Sequence, residues 1–338
     1  MSKRKIVSIV LSFCLVAAVI SACGSKQGSS GNSTLKIGTN SVGSVYYTLA
    51  VGISELLLKH AEINSSVEAV GGSDANMFAM ADNDIDLAVA DSPSAYNAMN
   101  TIAPFKEKVD VSLVAVGQTS FRPIVVRKNS GIKSVEDLAG KKLIGIRPAL
   151  FEFELITDNL LQTYGIDKSK VNIIKTVETN ETVEALRTGT VDAAIFPVSL
   201  GNALLSELMR DNVVEFLPME EAKVDQVISS LPKSLYKSVI PKGSFPNQDQ
   251  DVTTFALATY FVADSSVPEE KIYQITKTFF DNNKEFVSFH NAAKEWTLER
   301  TTKSKPIIPF HPGTIKYLKE TGNWSSELQS AQDALTTK

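Results

Sequence analysis

The sequence predicts an α/β protein of two lobes, each built on a mostly parallel sheet, joined by two extended crossings. Three observations predict it. Strand-length apolar runs alternate with helical runs twice along the chain. The two halves share one unit, a polar turn leading through a Val/Ile-Asp pair into a strand and a proline. One β-rich stretch lies between the halves and another follows the second. At 338 residues, 43% hydrophobic and 21% charged, the chain has ordinary globular composition and the length of two domains. A net charge of -4 offers no basic excess to neutralise phosphates, which argues against nucleic acid as a partner.

The elements follow in order. Lys3, Arg4 and Lys5 precede an apolar run from Ile6 to Val19, too short to span a bilayer comfortably and laid out as an export signal. It ends in Ile20-Ser21-Ala22-Cys23, which resembles a bacterial lipobox. Residues 1–22 are therefore expected to be a lipoprotein signal peptide, with cleavage before Cys23 and lipidation of its thiol. Removing three positive charges leaves a net charge of about -7. Cleavage also removes Cys14, so the mature chain has no disulfide, no cysteine metal site and no thiol nucleophile. The two or three acyl chains of a lipoprotein anchor firmly where one does not. The expected location is outside the cytoplasm, tethered to the membrane surface. Residues 23–34, rich in Gly and Ser, read as a flexible tether.

From residue 35 the βα rhythm begins. "LKIGT" is a strand, and 45–60 a helix with Val45, Leu49, Ile53, Leu56 and Leu57 on one face. "SVEAV" at 66–70, "DANMFAMA" at 74–81 and "DLAVAD" at 86–91 continue as strand, short helix and strand, the last ending at Ser92-Pro93. The stretch 112–142 is β-rich and closes in "SGIKSVEDLAGK", a loop and short helix. "KKLIGI", a helix over 151–163, "VNIIKTV" at 171–177, a helix over 181–189 and "VDAAIFP" at 191–197 repeat the rhythm. Residues 240–270 lead from a punctuated loop into a second β-rich stretch, and the tail is helical over 269–287 and near 313–321. Two crossings suggest a hinge. Lobe one is expected to comprise 35–120 and 254–338, and lobe two 121–253.

Catalytic signatures are missing. There is no phosphate-binding Gly-Lys-Ser/Thr loop, no dinucleotide fingerprint and no Gly-x-Ser-x-Gly elbow. His60, His290 and His311 have no metal-ligand spacing. His60 suits a helix C-terminus and His311 a turn in "PFHPG". No enzyme activity, cofactor or metal is expected.

The loops favour binding instead. In open α/β sheets ligands sit beyond the carboxyl ends of strands, where helix N-termini also point. Gly38, Thr39, Asn40 and Ser41 occupy the first strand end, Gly71, Gly72 and Ser73 the second, Asp91 and Ser92 the third. Small residues let the backbone approach a ligand, and free amides favour an anion. Tyr46 or Tyr47 can face the cleft, but not both, since helix neighbours point about 100° apart; core packing is the alternative for each. Asn76 lines the cleft or caps a helix. Arg147, at the equivalent strand end of lobe two, can clamp a carboxylate with two parallel bonds, or pair at the surface with Glu152 or Glu154. Arg122, at the crossing, is a weaker candidate.

Together "IGTNSVGSVYY", "VEAVGGSDANMFAMADNDIDLAVA", "SGIKSVEDLAGKK", "IPKGSFPNQDQDV" and "PFHPGTIKYLKETG" resemble the TAXI family of solute-binding proteins, which serve TRAP-type secondary transporters. The likeness spans about residues 35–322. It implies a type II periplasmic-binding-protein fold and a small carboxylate solute, glutamate-like or dicarboxylate. By the same likeness Thr39, Ser41 and Tyr46 or Tyr47 inherit ligand contacts from the first cleft loop, and Ser73 with Asn76 from the second. Two departures stand out. Asn40-Ser41 replaces a family glycine, and Arg147-Pro148-Ala149-Leu150-Phe151-Glu152 replaces a Gly-Ser-Gly-Thr-like loop. Arg147 then substitutes as the anion clamp, or the ligand differs. Phe151 narrows the pocket or stacks on the solute, with burial in the core as the alternative. The implied partners are a small anionic organic solute, a TRAP-type permease and, through the anchor, the membrane surface; a ligand-sensing lipoprotein serving a sensor kinase is the alternative. The reading requires a groove between the lobes that offers donors to negative charge.

Overall fold

The computed structural model describes residues 34–337. From Thr34 onward the chain packs as one compact unit. Its strands form two sheets. The first comprises β1 (Leu35–Asn40), β2 (Ser65–Gly71), β3 (Leu87–Asp91), β4 (Val111–Arg122), β10 (Leu235–Ile240) and β11 (Val252–Asp264). The second comprises β5 (Ile124–Arg127), β6 (Lys142–Ile146), β7 (Asn172–Lys175), β8 (Ala193–Ile195) and β9 (Val214–Phe216). The parallel cores match: β2-β1-β3 in the first sheet and β7-β6-β8 in the second, with an antiparallel strand, β11 or β5, beside β3 or β8.

The repeated sequence unit has one structural meaning in both sheets. Asp86 precedes β3, and its carboxylate accepts from the Lys36 N–H at 2.8 Å. Asp192 precedes β8 and accepts from the Lys142 N–H at 2.9 Å. Each aspartate satisfies the first free donor of the neighbouring central strand, which the parallel ladder leaves unpaired.

Helices fill the crossovers: α1 (Val45–Ala61), α2 (Ser73–Ala81), α3 (Ser92–Met99), α4 (Glu152–Thr163), α5 (Thr179–Thr188), α6 (Ala203–Arg210) and α7 (Glu221–Ser229). The tail adds α8 (Glu269–Asp281), α9 (Asn283–Phe286), α10 (Leu298–Lys303), α11 (Pro312–Glu320) and α12 (Ser326–Thr336). The expected helix over 269–287 breaks at Asn282. Ser92-Pro93 is no loop: Asp91 caps α3 through the Ser94 N–H at 3.1 Å, and Pro93 occupies the first turn, where a missing N–H costs nothing. His60 lies in the last turn of α1 and bonds Glu285 at 2.9 Å. His311 caps α11, its Nδ1 accepting from Gly313 at 3.1 Å.

The chain leaves the first sheet at Pro123, which has no N–H to continue the β4 ladder, and enters the second at Ile124. β11 spans the other crossing. Its first half pairs with β10, its second half with β3, and its opposite edge with β4. Packing divides likewise. Tyr260 to Ala263 join the core of the first sheet, whereas Phe255, Ala256 and Leu257 join the cores of the second. Alternation along the second sheet separates its faces: Ile124, Val126 and Leu143 point to one core, Val125 and Ile144 to the other.

Candidate functional site

The two sheets meet at the carboxyl ends of their strands, and there they touch. Gly71, with φ at +110°, turns the chain from β2 toward α2 in a conformation that favours glycine. Gly72 follows in extended backbone. A Cβ on it would lie 2.5 Å from the Ala149 Cβ and 2.6 Å from the Ala149 carbonyl oxygen, so its missing side chain admits the opposite loop. Two hydrogen bonds close the contact reciprocally. The Asp74 N–H donates to Ala149 O at 3.1 Å, and the Phe151 N–H donates to the Asp74 carboxylate at 2.7 Å. The heads of α2 and α4 thus satisfy each other's orphan donors. Arg147 adds a third link, donating to Gly71 O at 2.8 Å.

Arg122 bridges the sheets beside this seam. Its guanidinium donates to Glu152 at 2.8 Å and to Asp91 at 3.3 Å, and to Ser120 and the Phe121 carbonyl. Burial, reinforced by the charge of Asp91, pushes Glu152 up to about 8 despite Arg122. Burial and Asp91 likewise push Asp74 up to about 7.

Arg147 is 2% exposed. Among the described residues it makes no ion pair: its other donors go to Val177 O at 2.9 Å and Thr179 Oγ1 at 2.7 Å. Neither Glu152 nor Glu154 pairs with it, because Glu152 is held by Arg122. Burial pulls it down to about 10. Three of five guanidinium N–H groups are used, which leaves donors and an unpaired charge.

At the end of β1 and on α2, buried polar atoms have no hydrogen-bond partner among the described residues: Thr39 Oγ1, Asn40 Oδ1, Ser41 Oγ and both amide atoms of Asn76. Such orphans are costly unless something binds them. Tyr46 is buried and fixed to the crossing strand by Thr259, which donates to its hydroxyl at 2.9 Å. Burial pushes that phenol up to about 12. Asn40, Tyr46, Ser120, Arg122, Thr179, Ser199 and Asn202 are among the residues lining a cavity of about 30 Å³ between the sheets. That is room for about one water. The groove that the loops implied is therefore closed by direct contact, and the helix heads expected to greet an anion are capped from the opposite side.

The remaining expected residues scatter. Ser73 accepts from the Asp91 N–H at 3.0 Å, a structural link within the first sheet. Tyr47 is half-buried and does not line the cavity, so of the two tyrosines Tyr46 turns inward. Ser92 faces a different groove, with Lys233, Tyr236 and Arg300. Phe151 is half-buried, and its contribution is its backbone N–H. Cys23 lies outside the described residues. Asp74 and Glu152 were missed as site residues: each sits in a first helical turn, where an acid reads as ordinary dipole compensation. Among the described residues no three His, Cys, Asp or Glu side chains are arranged to hold a metal ion, and no helix is long and apolar enough to cross a membrane.

Two sheets of matching strand order, joined by β4 and β11 and meeting at their strand ends, define the type II periplasmic-binding-protein fold. The chain belongs to the NMT1-like family, whose model matches residues 37–322. Among similar solved structures is MatC from Rhodopseudomonas palustris with bound malate, at 13% identity and a TM-score of 0.56, covering 89% of this chain and 98% of that one. PhnD1 from Prochlorococcus marinus in complex with methylphosphonate has 12% identity and a TM-score of 0.55, over 87% and 100% of the two chains. A Bordetella bronchiseptica protein has 14% identity and a TM-score of 0.51, over 87% and 90%. Two of these similar structures hold small molecules, malate in MatC and methylphosphonate in PhnD1.

Proposed function

We propose that this chain is a lipid-anchored, extracytoplasmic solute-binding protein of the TAXI type. It takes a small carboxylate between its two sheets and delivers it to a TRAP-type membrane transporter. The observation that carries the reading is Arg147, a buried guanidinium that pairs with no carboxylate among the described residues and whose partners Gly71 and Thr179 adjoin Asn40, one of the orphaned polar groups. A planar cation with free donors beside hydroxyl and amide groups suits a carboxylate. MatC holds malate and PhnD1 holds methylphosphonate, so this fold accommodates small anions. Solute of that size enters when 35–120 with 254–338 swings from 121–253 about the crossings, and favours closure by touching both. Cys23, in the lipobox-like "ISAC", supplies the anchor.

Thermal-shift screening of the chain from Gly24 onward against amino acids and small organic acids tests the reading. Stabilisation by at least one small carboxylate is expected, and none at millimolar concentration refutes it. Arg147→Ala should then weaken binding of the identified solute by about 2–5 kcal/mol, the loss for truncating one partner of a buried charge pair. Unchanged affinity by calorimetry removes Arg147 from the site.

A further inference from the structure

The seam between the sheets is made by protein groups on both sides, and its charges do not balance. Asp74 stands at the head of α2, Asp91 at the end of β3, Glu152 at the head of α4, all buried. One guanidinium, Arg122, touches two of these three carboxylates. Arg147 faces the seam from the loop after β6 without pairing to any of them. From α1 the Tyr46 phenol faces Arg122 and Asp91, and from the head of α5 Glu178 and Glu181 act on Arg147. Three carboxylates against two guanidiniums leave one negative charge in excess where water is excluded.

We infer that this seam is a proton-operated clasp: closing the sheets on each other loads a proton onto the pair Asp74 and Glu152, and losing it favours opening. The two acids that closure desolvates, Asp74 and Glu152, belong to opposite sheets, so separation returns both to water together. A proton on Asp74 neutralises the excess charge and leaves both arms of the Arg122 bridge ionised, and one on Glu152 still leaves Arg122 paired with Asp91. The Asp74 carboxyl still accepts from the Phe151 N–H when protonated, through either lone-paired oxygen.

The sign follows from linkage. In the closed form Asp74 is raised from 3.8 to about 7 and Glu152 from 4.5 to about 8. Opening restores ordinary carboxyl behaviour, so the closed form binds more protons between those limits. Closure is favoured as pH falls toward 5 and lost as pH rises through 7 to 8. For each proton released, the opening constant rises about tenfold per pH unit in that window. Asp74 and Glu152 act on each other's charge, so the count of protons belongs to the pair rather than to one residue.

This inference concerns the protein without solute and stands whether or not a carboxylate is the cargo. From Gly24 onward the chain has no cysteine, so spin labels can be placed at Leu58→Cys on α1 and Glu184→Cys on α5, both exposed. Electron-spin distance measurements on solute-free protein should show one short distance at pH 5.5 and a growing longer one toward pH 8.5. Asp74→Asn with Glu152→Gln should abolish that response. Each single replacement should lower its slope, so the test does not depend on the double variant folding. Glu154→Gln, next along α4, should leave the response intact. Distances that do not change from pH 5.5 to 8.5, or a transition that survives both replacements, overturn the clasp.

Discussion

Arg122 and Arg147 show how one side-chain type acquires two roles from its surroundings. Both are buried, and sequence reading ranked Arg147 above Arg122 as a site residue. Arg122 sits at the end of a hinge strand, where Asp91 from one sheet and Glu152 from the other converge on it. Its charge is spent inside the protein. Arg147 faces carbonyls and a hydroxyl, which orient it without neutralising it. Removing Arg122 leaves two buried acids, Asp91 and Glu152, without the cation on which they converge. Arg122→Ala should therefore destabilise the fold by about 3–5 kcal/mol in chemical denaturation at neutral pH. A loss below about 1 kcal/mol would show that water reaches the site and compensates. The acids themselves were unreadable in sequence, because nothing in "DAN" or "FEFE" tells that the two helix heads abut.

At the scale of elements, the βα rhythm was legible because period and punctuation are local. The first helix, expected over 45–60, runs Val45–Ala61, capped by Ser44 and closed by Glu62 in a left-handed conformation. The other strands fall in the expected strand runs or β-rich stretches, whereas β9 and β10 lie in a part of the chain where no strand was expected. The short helices α3, α6, α7, α10 and α12 were not read; they are polar on one side and flanked by loops that mask their period. A glycine marks the tightest packing between elements. Gly117 on β4 lies under Trp296, and a Cβ there would come within 2.1 Å of the indole. That indole is fully buried against Phe279 and Phe286 and donates to Gln118. Gly117→Ala must move a large ring through a packed core, so a cost of about 1–3 kcal/mol is expected from overpacking. Calorimetric melting of the variant checks it, and an unchanged midpoint would mean the tail turn carrying Trp296 shifts freely.

At the scale of the whole molecule, the two sheets own separate cores, and β4 and β11 are the strands that join them among the described residues. Contact at the seam is thus not needed to fold either part. Gly72→Val should push the Ala149 backbone away and raise the radius of gyration in small-angle scattering, while far-ultraviolet dichroism stays unchanged. Loss of helical signal instead would show that the seam is part of one cooperative core. The sequence by itself determined the α/β class, the paired modules with their Asp86 and Asp192 turns, and the strand-end loops as the place of interest, because these depend on local period, turn chemistry and short spacing. Only the tertiary structure decided that the loops close against each other, that Arg122 is neutralised while Arg147 is not, and that three acids share one seam. Those facts depend on which groups distant in the chain are desolvated together, and the free energy of a buried charge is set by its neighbours in space rather than in sequence.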